Sequence, residues 1–538
     1  MKKTIFLCGA AMAFAAAAQT AALPMCRKSC VYLGWDVVQA PVKAVYEHRG
    51  EFAAAGFDGI VMNVNGVLPN GASFFGRRVM ASHRFAREQF EPVVPMVKEL
   101  LAIDGLKESL WCVYWMGTTK HRIGWVDDAA WAEFTGNMRF VCALAKELGF
   151  KGLFIDHEDY TGKPLFVWRM DDDPPYAECA ALARRRGAET ARAMAEGDPN
   201  VRFVMDRVMM QLSAEIRSQT PHESTAARGD LWYPFLNGFV EGMVPGMVIV
   251  DGCESAYGAK TQRDYAAQIG DCRASALVML EPNLRTKYLA QSEMSFGKYL
   301  DGMARTGLTM ENGIPQSLFG AGACCDRLFW VYGERNSVVN WGKRVHPKVD
   351  VVPWSERMPG LPAVLRVAVG DFSELRAKAA AGALENLVSN PGCEAKGKGT
   401  VPAPFQIYGG GKGQTTEFAA HDAAVGCAAP GSIRFTRHGL SLTFKRTGMK
   451  EGERIYVSFA AKGSDVLGDV VWTKGGAWCW NKSYQFLAKP SATLKDGWRR
   501  YECALVAPED VEGVGIIIST RAKPDAPSWL DDISLYRW

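Results

Sequence analysis

The chain has 538 residues, of which 48% are hydrophobic and 22% are charged, a composition typical of a globular protein with an ample core. Lys and Arg number 62 and Asp and Glu number 58, so the formal net charge is +4. This balance excludes the strongly basic surface expected of a nucleic-acid or anionic-membrane binder, and a neutral or mixed ligand is expected.

The first 22 residues have the pattern of a secretory signal peptide. Lys2 and Lys3 precede an apolar run from Thr4 to about Ala18, which ends in small residues. No later segment reaches the roughly 18 uninterrupted apolar residues of a membrane helix. The sequence therefore predicts an exported protein, secreted or periplasmic, with no membrane insertion.

Residues 28–345 alternate short apolar runs with amphipathic stretches, among them 129–148, 175–196 and 292–305. The eight apolar runs are 30–36, 59–65, 109–116, 152–156, 201–206, 247–251, 276–281 and 327–333. Strands that alternate with helices indicate a parallel sheet with crossover helices. Eight such units are the size of a TIM barrel, so we expect an α/β fold with a (β/α)₈ barrel. A doubly wound open sheet is disfavoured because no Gly-rich phosphate loop follows the first run.

Polar and aromatic residues recur where the predicted strands end. In a TIM barrel those ends share one face, and that face carries the active site. Helix capping is the alternative for the polar residues, and core packing is the alternative for the aromatic ones. The residues expected to bind substrate are Trp35, Asp36, Asn63, Tyr114, Trp115, Asp206, Asp251 and Trp330.

The fourth predicted strand runs directly into carboxylates. Asp156 and Glu158 are two residues apart, so in an extended chain both side chains point the same way, into the mouth of the barrel. Two carboxylates this close cannot both ionise cheaply, and a glutamate that stays protonated can assist the departure of a glycosidic oxygen. We expect Glu158 to be the general acid/base and Asp156 its helper; calcium binding or helix capping is the alternative.

The string Gly152-Leu153-Phe154-Ile155-Asp156-His157-Glu158 resembles the fourth strand of family 18 chitinases and related N-acetylglucosaminidases. The resemblance implies that the Glu is the acid/base and that the Asp orients the substrate's acetamide, whose oxygen is the nucleophile. Trp330 matches the tryptophan that these enzymes place under the sugar. The family carries a further Asp where this chain has Phe154, so the remaining likeness is to TIM-barrel glycosidases in general.

Two further glutamates are candidates for the second carboxylate. Glu281 ends the seventh predicted strand, a layout that resembles many retaining glycosidases, and Glu334 follows the eighth. Carboxyl groups about 5–5.5 Å apart would indicate retention, and a separation of about 6.5–9.5 Å would indicate inversion. No zinc-binding helix or serine elbow occurs, so no cofactor is expected for catalysis.

The chain changes character after a connector at 346–384, which contains one predicted helix at 372–384. In 385–538, short alternating runs bounded by Gly, Asp and Pro predict an all-β jelly-roll sandwich. Trp472, Trp478 and Trp480 are candidates for a sugar-stacking surface, with core packing as the alternative. The runs are 432–435, 441–445, 454–460, 498–506 and 513–519.

Three segments of this region are similar to the opening and closing strands of carbohydrate-binding modules of the family 4/9 type. They are 386–394 (NLVSNPGCE), 497–498 (GW) and 529–535 (WLDDISL). The resemblance implies a sugar ligand and a structural calcium near the termini, with Glu394 and Asp532 as its ligands.

These patterns together predict a secreted glycoside hydrolase that cleaves a polysaccharide or glycan by carboxylate acid/base catalysis. A non-catalytic glycan-binding protein that keeps the barrel as a scaffold is the first alternative, because a fold does not guarantee an activity. A polysaccharide lyase is the second, and it would need a Tyr or His base and a cationic cluster for uronates, which the sequence does not show.

Overall fold

The computed structural model describes residues 27–81, 83–116, 122–160, 162–209, 218, 221–305, 307–311, 313–342, 347, 352–394, 401–408, 418–482 and 484–538. The predicted signal peptide, residues 1–22, lies outside these residues. Within them, no helix is both long enough and apolar enough to cross a membrane.

The first part of the described chain is mixed α/β. Its strands are β1 (Ser29–Gly34), β2 (Gly59–Met62), β3 (Asn65–Val67), β4 (Ser73–Phe75), β5 (Leu110–Tyr114), β6 (Leu153–Asp156), β7 (Arg202–Met205), β8 (Val248–Asp251), β9 (Ser292–Met294), β10 (Gly297–Tyr299) and β11 (Leu328–Gly333). Its helices are α1 (Trp35–Gln39), α2 (Val42–Glu47), α3 (Arg49–Ala54), α4 (Val94–Leu101), α5 (Asp128–Leu148), α6 (Tyr176–Gly197), α7 (Pro221–Ala227), α8 (Trp232–Gly242), α9 (Gln262–Met279), α10 (Pro282–Gln291), α11 (Leu300–Arg305), α12 (Ile314–Cys324), α13 (Trp354–Arg357), α14 (Leu361–Ala368) and α15 (Ser373–Ala380).

Nine of these strands form one curled parallel sheet in the order β10-β11-β1-β2-β5-β6-β7-β8-β9. Its edge strands, β9 and β10, are separated in the chain only by Ser295 and Phe296. The Ser295 N–H donates to the Asp251 carbonyl on β8 at 2.8 Å, and the Trp330 N–H on β11 donates to the Phe296 carbonyl at 3.0 Å. Both edges of the sheet therefore lie in one chain segment.

The alternating side chains of the sheet enter two separate cores. One core lies between the strands and the helices that cover them. The other lies inside the curl, and it is built from one or two residues of each contributing strand, including Val31, Val61, Cys112, Phe154, Val204, Val250 and Trp330. Alternation with period two explains this division, since successive residues of a strand face opposite sides.

Of the eight strands predicted in this region, seven are confirmed. The one predicted at 276–281, the seventh in chain order, is wrong. Residues 276–279 are the last turn of α9, and Glu281 precedes α10. The strand instead lies in 292–299, where a helix was expected. A short apolar run such as Ala276 to Leu280 suits a half-buried helix as well as a strand, and Leu277 is in fact exposed.

The C-terminal part consists of antiparallel strands, and the five predicted runs are confirmed. The strands are β12 (Glu385–Asn386), β13 (Gln406–Tyr408), β14 (Ala419–Asp422), β15 (Ser432–Phe435), β16 (Ser441–Thr447), β17 (Arg454–Lys462), β18 (Val466–Lys474), β19 (Ala477–Trp478), β20 (Tyr484–Leu487), β21 (Ala492–Thr493), β22 (Arg499–Val506), β23 (Gly513–Thr520) and β24 (Ser528–Arg537). One sheet has the order β14-β15-β24-β17-β22-β21, with β12 on β24. The other has the order β13-β16-β23-β18-β19, with β20 on β18.

The two antiparallel sheets share one buried core. Phe444 and Ile516 enter it from the β16 sheet, and Val457 and Leu535 enter it from the β17 sheet. The region also packs against the α/β part: Tyr456, Ala504 and Val506 belong to the outer core of the parallel sheet. Hydrogen bonds join the parts as well, among them those from the Phe486 N–H to Gln262 at 3.1 Å, from Arg454 to the Met310 carbonyl at 2.7 Å and from Arg376 to Glu502 at 2.9 Å.

Candidate active site

Carboxylates gather where β6, β7 and β8 end. These strands are parallel and adjacent, with Ile155 beside Met205 and Met205 beside Asp251, so the residues that follow each strand meet at one edge. We call Asp156, Glu158, Asp206 and Glu254 the acidic cluster. One carboxylate oxygen of each of Asp156, Glu158 and Asp206 lies within 4.8 Å of the other two. Glu254 lies in a short 3₁₀ helix, Glu254–Gly258, after β8.

Arg207 supplies the positive charge at the centre of the acidic cluster. Its guanidinium lies 2.9 Å from Glu158, 3.4 Å from Asp206 and 3.6 Å from Glu254. One arginine therefore faces three carboxylates, and the cluster retains a net negative charge. Such a group of half-buried like charges is costly, and it is the kind of arrangement found at functional sites.

Asp206 is fixed from the side opposite Arg207. Nδ1 of the buried His157 lies 2.7 Å from Asp206 Oδ1. The imidazole is itself stacked on Trp232, with ring centroids 4.5 Å apart and an interplanar angle of 24°. His157 and Glu158, which are adjacent after β6, therefore have different environments. The histidine contacts the Asp206 carboxylate, whereas the glutamate is partly exposed at the edge of the sheet.

Burial and mutual repulsion change the protonation of two acids in the cluster. Burial, followed by the charge of Asp206, raises the pKa of Asp156 well above its ordinary value. Burial, followed by the charges of Glu158 and Asp206, raises the pKa of Glu254 to about 7 against the opposing effect of Arg207. Both groups therefore hold a proton at a pH where an exposed carboxyl has lost it.

Tyrosines border the acidic cluster. Tyr257, Tyr299 and Tyr332 pack together, with ring centroids 5.5 Å, 5.2 Å and 6.2 Å apart, and the Tyr257 and Tyr332 rings are nearly parallel. Tyr257 and Tyr160 lie close enough to Glu254 and Glu158, respectively, for their charges to interact. Tyrosine rings therefore lie beside the carboxylates.

Lys298 holds the 3₁₀ helix that carries Glu254 and Tyr257. The lysine is fully buried on β10, and its ammonium donates to the carbonyls of Ala256 at 2.6 Å, Ala259 at 2.8 Å and Tyr257 at 3.3 Å. Burial lowers the pKa of Lys298 to about 7. The three donors of one ammonium thus satisfy three carbonyls of a single turn.

The structure brings some predicted site residues together beneath this edge. Tyr114 on β5 lies beside Asp156 in the sheet register, with its ring under the Arg77 guanidinium at 4.8 Å. Trp330 is buried inside the curl, where its indole N–H donates to the Gly252 carbonyl at 2.8 Å and its ring lies 5.1 Å from Phe154. Trp330 therefore belongs to the core inside the curl and contacts the turn after β8.

Two other predicted site residues, Asp36 and Asp251, are buried and form hydrogen bonds inside the protein. Asp36 is buried and accepts hydrogen bonds from Tyr32, Ser337 and Trp341, so its carboxylate is not open to a substrate. Asp251 is buried and accepts the N–H groups of Val208, Met209 and Cys253, which ties together the turns after β7 and β8.

Three more predicted side chains lie around the sheet. Asn63 is buried and accepts the Arg77 N–H at 3.1 Å. Trp115 is in the outer core against Phe235, so its assignment to the mouth is wrong. Trp35 is partly buried and lies near Tyr332, a member of the tyrosine group.

The two candidate partners of Glu158 lie outside the acidic cluster. Glu281 is not at a strand end, because 276–281 is not a strand; its carboxylate instead pairs with Arg184 on α6, at 2.9 Å for one oxygen. Glu334 follows β11 as predicted and accepts a hydrogen bond from Tyr299, on the far side of the tyrosine group.

Sequence reasoning missed Arg207, Glu254, Tyr257 and Lys298. Arg207 directly follows Asp206, and Glu254 comes three residues after the end of β8, so both were near predicted strand ends. The predicted site residues come from the strands and their immediate ends, whereas Glu254 and Tyr257 lie three and six residues beyond the end of β8. Lys298 had no signal because its segment was expected to be helical.

In the antiparallel region, the three tryptophans separate into two environments. Trp472 is fully buried in the shared core. Trp478, Trp480 and Tyr484 form a surface group that we call the aromatic patch, with ring centroids 6.3 Å and 6.0 Å apart along the series. Trp478 lies flat over Gly515, where a Cβ would come within 2.3 Å of the ring, and under the Lys445 ammonium at 4.2 Å.

The predicted calcium ligands are placed without a complete ligand set. Glu394 is exposed, Asp532 is partly buried, and neither joins a close group of three His, Cys, Asp or Glu side chains among the described residues. Calcium takes six to eight oxygens, so these two carboxylates by themselves do not fit it, and the calcium site stays a prediction.

No family model matches the chain, and no curated protein is similar to it at a significant level. Solved structures with local likeness include TmCBM61 in complex with β-1,4-galactotriose, at 14% identity over 29% of this chain and 99% of that one, with a TM-score of 0.22. The CBM22-1 xylan-binding domain of Paenibacillus barcinonensis Xyn10C matches at 17% identity over 29% and 95%, with a TM-score of 0.21. The bacteriophage CBA120 tailspike protein 4 domain matches at 12% identity over 28% and 21%, with a TM-score of 0.22. These values are too low to assign a fold or an activity.

Proposed function

We propose that the protein is an exported glycoside hydrolase whose acidic cluster cleaves a polysaccharide or glycan. The observation that carries the proposal is the convergence of four carboxylates at the carboxyl edge of a parallel sheet, three of them facing one arginine, with the pKa values of Asp156 and Glu254 raised by burial and by the neighbouring charges. Glycoside hydrolysis needs a carboxylic acid and a carboxylate at one bond.

The proposal includes closure of the parallel sheet into a (β/α)₈ barrel. The segment 292–299 pairs with β8 through its first half and with β11 through its second half. Counted as one strand, it makes eight parallel strands with no free edge. In such a barrel the carboxyl ends of the strands form the active face, which is where the acidic cluster lies.

Glu158 is the proposed acid/base residue and Asp156 its helper. The Asp156 carboxylate accepts the Glu158 N–H at 2.9 Å, which fixes the backbone from which Glu158 projects. Burial and the charge of Asp206 raise the pKa of Asp156, which favours its protonated form, and in that form it can donate a hydrogen bond to a polar group of the substrate. The tyrosine group beside the cluster provides ring faces for the sugar.

The antiparallel region is proposed as a jelly-roll carbohydrate-binding module whose aromatic patch stacks on sugar rings. Trp480 is 48% exposed, which is unusual for a tryptophan and favours a binding role. The same observation supports the second candidate function, a protein that binds a glycan without cleaving it.

Hydrolysis by the wild type and by Glu158→Gln on a panel of polysaccharides and aryl glycosides tests the proposal. We expect Glu158→Gln to lower the rate by about 10²–10⁴-fold while glycan binding survives. Glu281→Gln is the matched control and should keep the wild-type rate, because Glu281 lies outside the acidic cluster. Binding by both proteins without cleavage by either would establish the non-catalytic function instead.

A further inference from the structure

Glu158 and Glu254 are the two glutamates of the acidic cluster, and they have equivalent access to solvent. Their side chains are 21% and 20% exposed, whereas the Asp206 side chain is 6% exposed and held by His157. A ligand at this edge can therefore contact both glutamates, while Asp206 is shielded from it.

Arg207 lies closer to Glu158 than to Glu254. It lies 2.9 Å from Glu158 and 3.6 Å from Glu254, and a cation stabilises the ionised form of the nearer carboxylate more strongly. Glu254 is the first residue of its 3₁₀ helix, and Lys298 donates hydrogen bonds to three carbonyls of the same turn. The pair thus consists of one carboxylate beside a cation and one carboxyl set back from it.

We propose that Glu254 is the proton donor to the departing glycosidic oxygen and that Glu158, the glutamate nearer to Arg207, is the base that activates the attacking water. This assignment rests on the proposed hydrolase function and divides the acid/base role proposed for Glu158 between Glu158 and Glu254.

The reaction balances with one water molecule. The water oxygen bonds to the anomeric carbon as the bond between that carbon and the glycosidic oxygen breaks. Glu254 gives its proton to the departing oxygen, and Glu158 takes a proton from the water. Exchange with solvent then returns Glu158 to its ionised form and Glu254 to its protonated form. A single displacement of this kind inverts the anomeric configuration.

The charges around Glu254 set the pH dependence. Because the pKa of Glu254 is about 7, the donor is present below that pH and lost above it, so activity should fall as the pH rises through neutrality. The titratable and charged groups that interact with it are Asp156 on β6, Glu158 and Tyr160 after β6, Asp206 and Arg207 after β7, and Tyr257 on its own turn.

Leaving-group dependence tests the donor role. Glu254→Gln and Glu158→Gln are compared on phenyl and 2,4-dinitrophenyl glycosides of the sugar that the wild type cleaves. Glu254→Gln should lose about 10²–10⁴-fold on the phenyl glycoside and less than about tenfold on the dinitrophenyl glycoside, whose leaving group needs no proton. It should also lose the fall in rate above pH 7, and Glu158→Gln should lose rate on both substrates.

Two outcomes would overturn the assignment while leaving the hydrolase function intact: equal losses for Glu254→Gln on both glycosides, or retention of configuration in the first-formed product by proton NMR. Absence of turnover on every glycoside would overturn both proposals. A further readout on the wild type needs neither turnover nor a folded variant. Carbodiimide labelling with peptide mapping at about pH 6 should modify Glu254 in preference to Glu158, and an unlabelled Glu254 would contradict the donor role.

Discussion

At the carboxyl edge of the parallel sheet, charged side chains are half-buried and contact one another, whereas the exposed face of the β16–β23–β18 sheet carries aromatic rings. Arg207 faces three carboxylates in the first region, and the aromatic patch has Lys445 over a ring in the second. In the first arrangement, burial and mutual repulsion destabilise ionised carboxylates and raise their pKa values. In the second, apolar ring surface stays in contact with water.

This difference teaches how to assign the two regions. Half-buried like charges destabilise the fold and persist where chemistry uses them, while exposed rings cost little and suit the binding of a neutral ligand. Variants of the acidic cluster should therefore change the rate and the pH dependence of stability, and variants of the aromatic patch should change affinity alone.

The largest effect on stability is expected within the antiparallel region, where two tryptophans separate core from surface. Trp472→Ala removes a fully buried side chain and should lower the free energy of unfolding by about 3–5 kcal/mol. Trp480→Ala should change it by less than about 0.5 kcal/mol and weaken glycan binding at least about tenfold.

Chemical denaturation and affinity electrophoresis on polysaccharide gels measure both quantities. If Trp480→Ala binds polysaccharide as well as the wild type does, the aromatic patch is not the binding surface and the contrast between the two regions fails.

An intermediate effect is expected for Arg207→Met in the acidic cluster. Removal of the cation leaves Glu158, Asp206 and Glu254 facing one another, at a cost of about 2–3 kcal/mol given that Arg207 is partly exposed. Protonation of the acids relieves the repulsion, so the loss should be larger at about pH 8 than at about pH 5.

Urea unfolding at the two pH values measures this loss. Arg139→Met is the matched control, because Arg139 forms an exposed pair with Glu196 and should contribute less than about 1 kcal/mol at either pH. If Arg207→Met lowers the free energy of unfolding by the same amount at both pH values, the carboxylates of the acidic cluster do not repel one another in the variant.

A smaller loss of stability than for Trp472→Ala or Arg207→Met is expected for Lys298→Met, which tests the support of the turn that carries Glu254. Three carbonyls lose their donor, and the loss of the buried charge offsets part of that cost, leaving about 1–2 kcal/mol. Between pH 7 and the ordinary lysine pKa, Lys298 binds a proton in the unfolded protein but has released it in the folded protein. The free energy of unfolding of the wild type should therefore rise relative to that of the variant as the pH increases through this window.

Hydrogen exchange of a peptide covering 254–259 and denaturation at about pH 6 and pH 9 follow these changes. Exchange in that peptide should accelerate in the variant, with little change in peptides of the antiparallel region. Unaltered exchange at 254–259 would show that the turn holds its position without Lys298.

The sequence by itself determined most of the strands and several of the residues at their ends. The apolar runs before Asp156, Asp206 and Asp251 are short, β-rich and bounded by polar residues, which is sufficient to place β6, β7 and β8 and to put Glu158 beside Asp156. The alternating runs of the C-terminal region were equally informative, because period-two patterns specify a half-buried strand.

Only the tertiary structure decided which of those side chains meet. Arg207 joins Glu158 to Glu254, almost a hundred residues apart in the chain, because parallel pairing brings the ends of β6, β7 and β8 to one edge. Glu281 was misplaced because a short apolar run suits a helix as well as a strand. Trp472 and Trp480 are only eight residues apart, but Trp472 lies within β18 with its side chain in the shared core, whereas Trp480 lies in the turn after β19, where it is exposed.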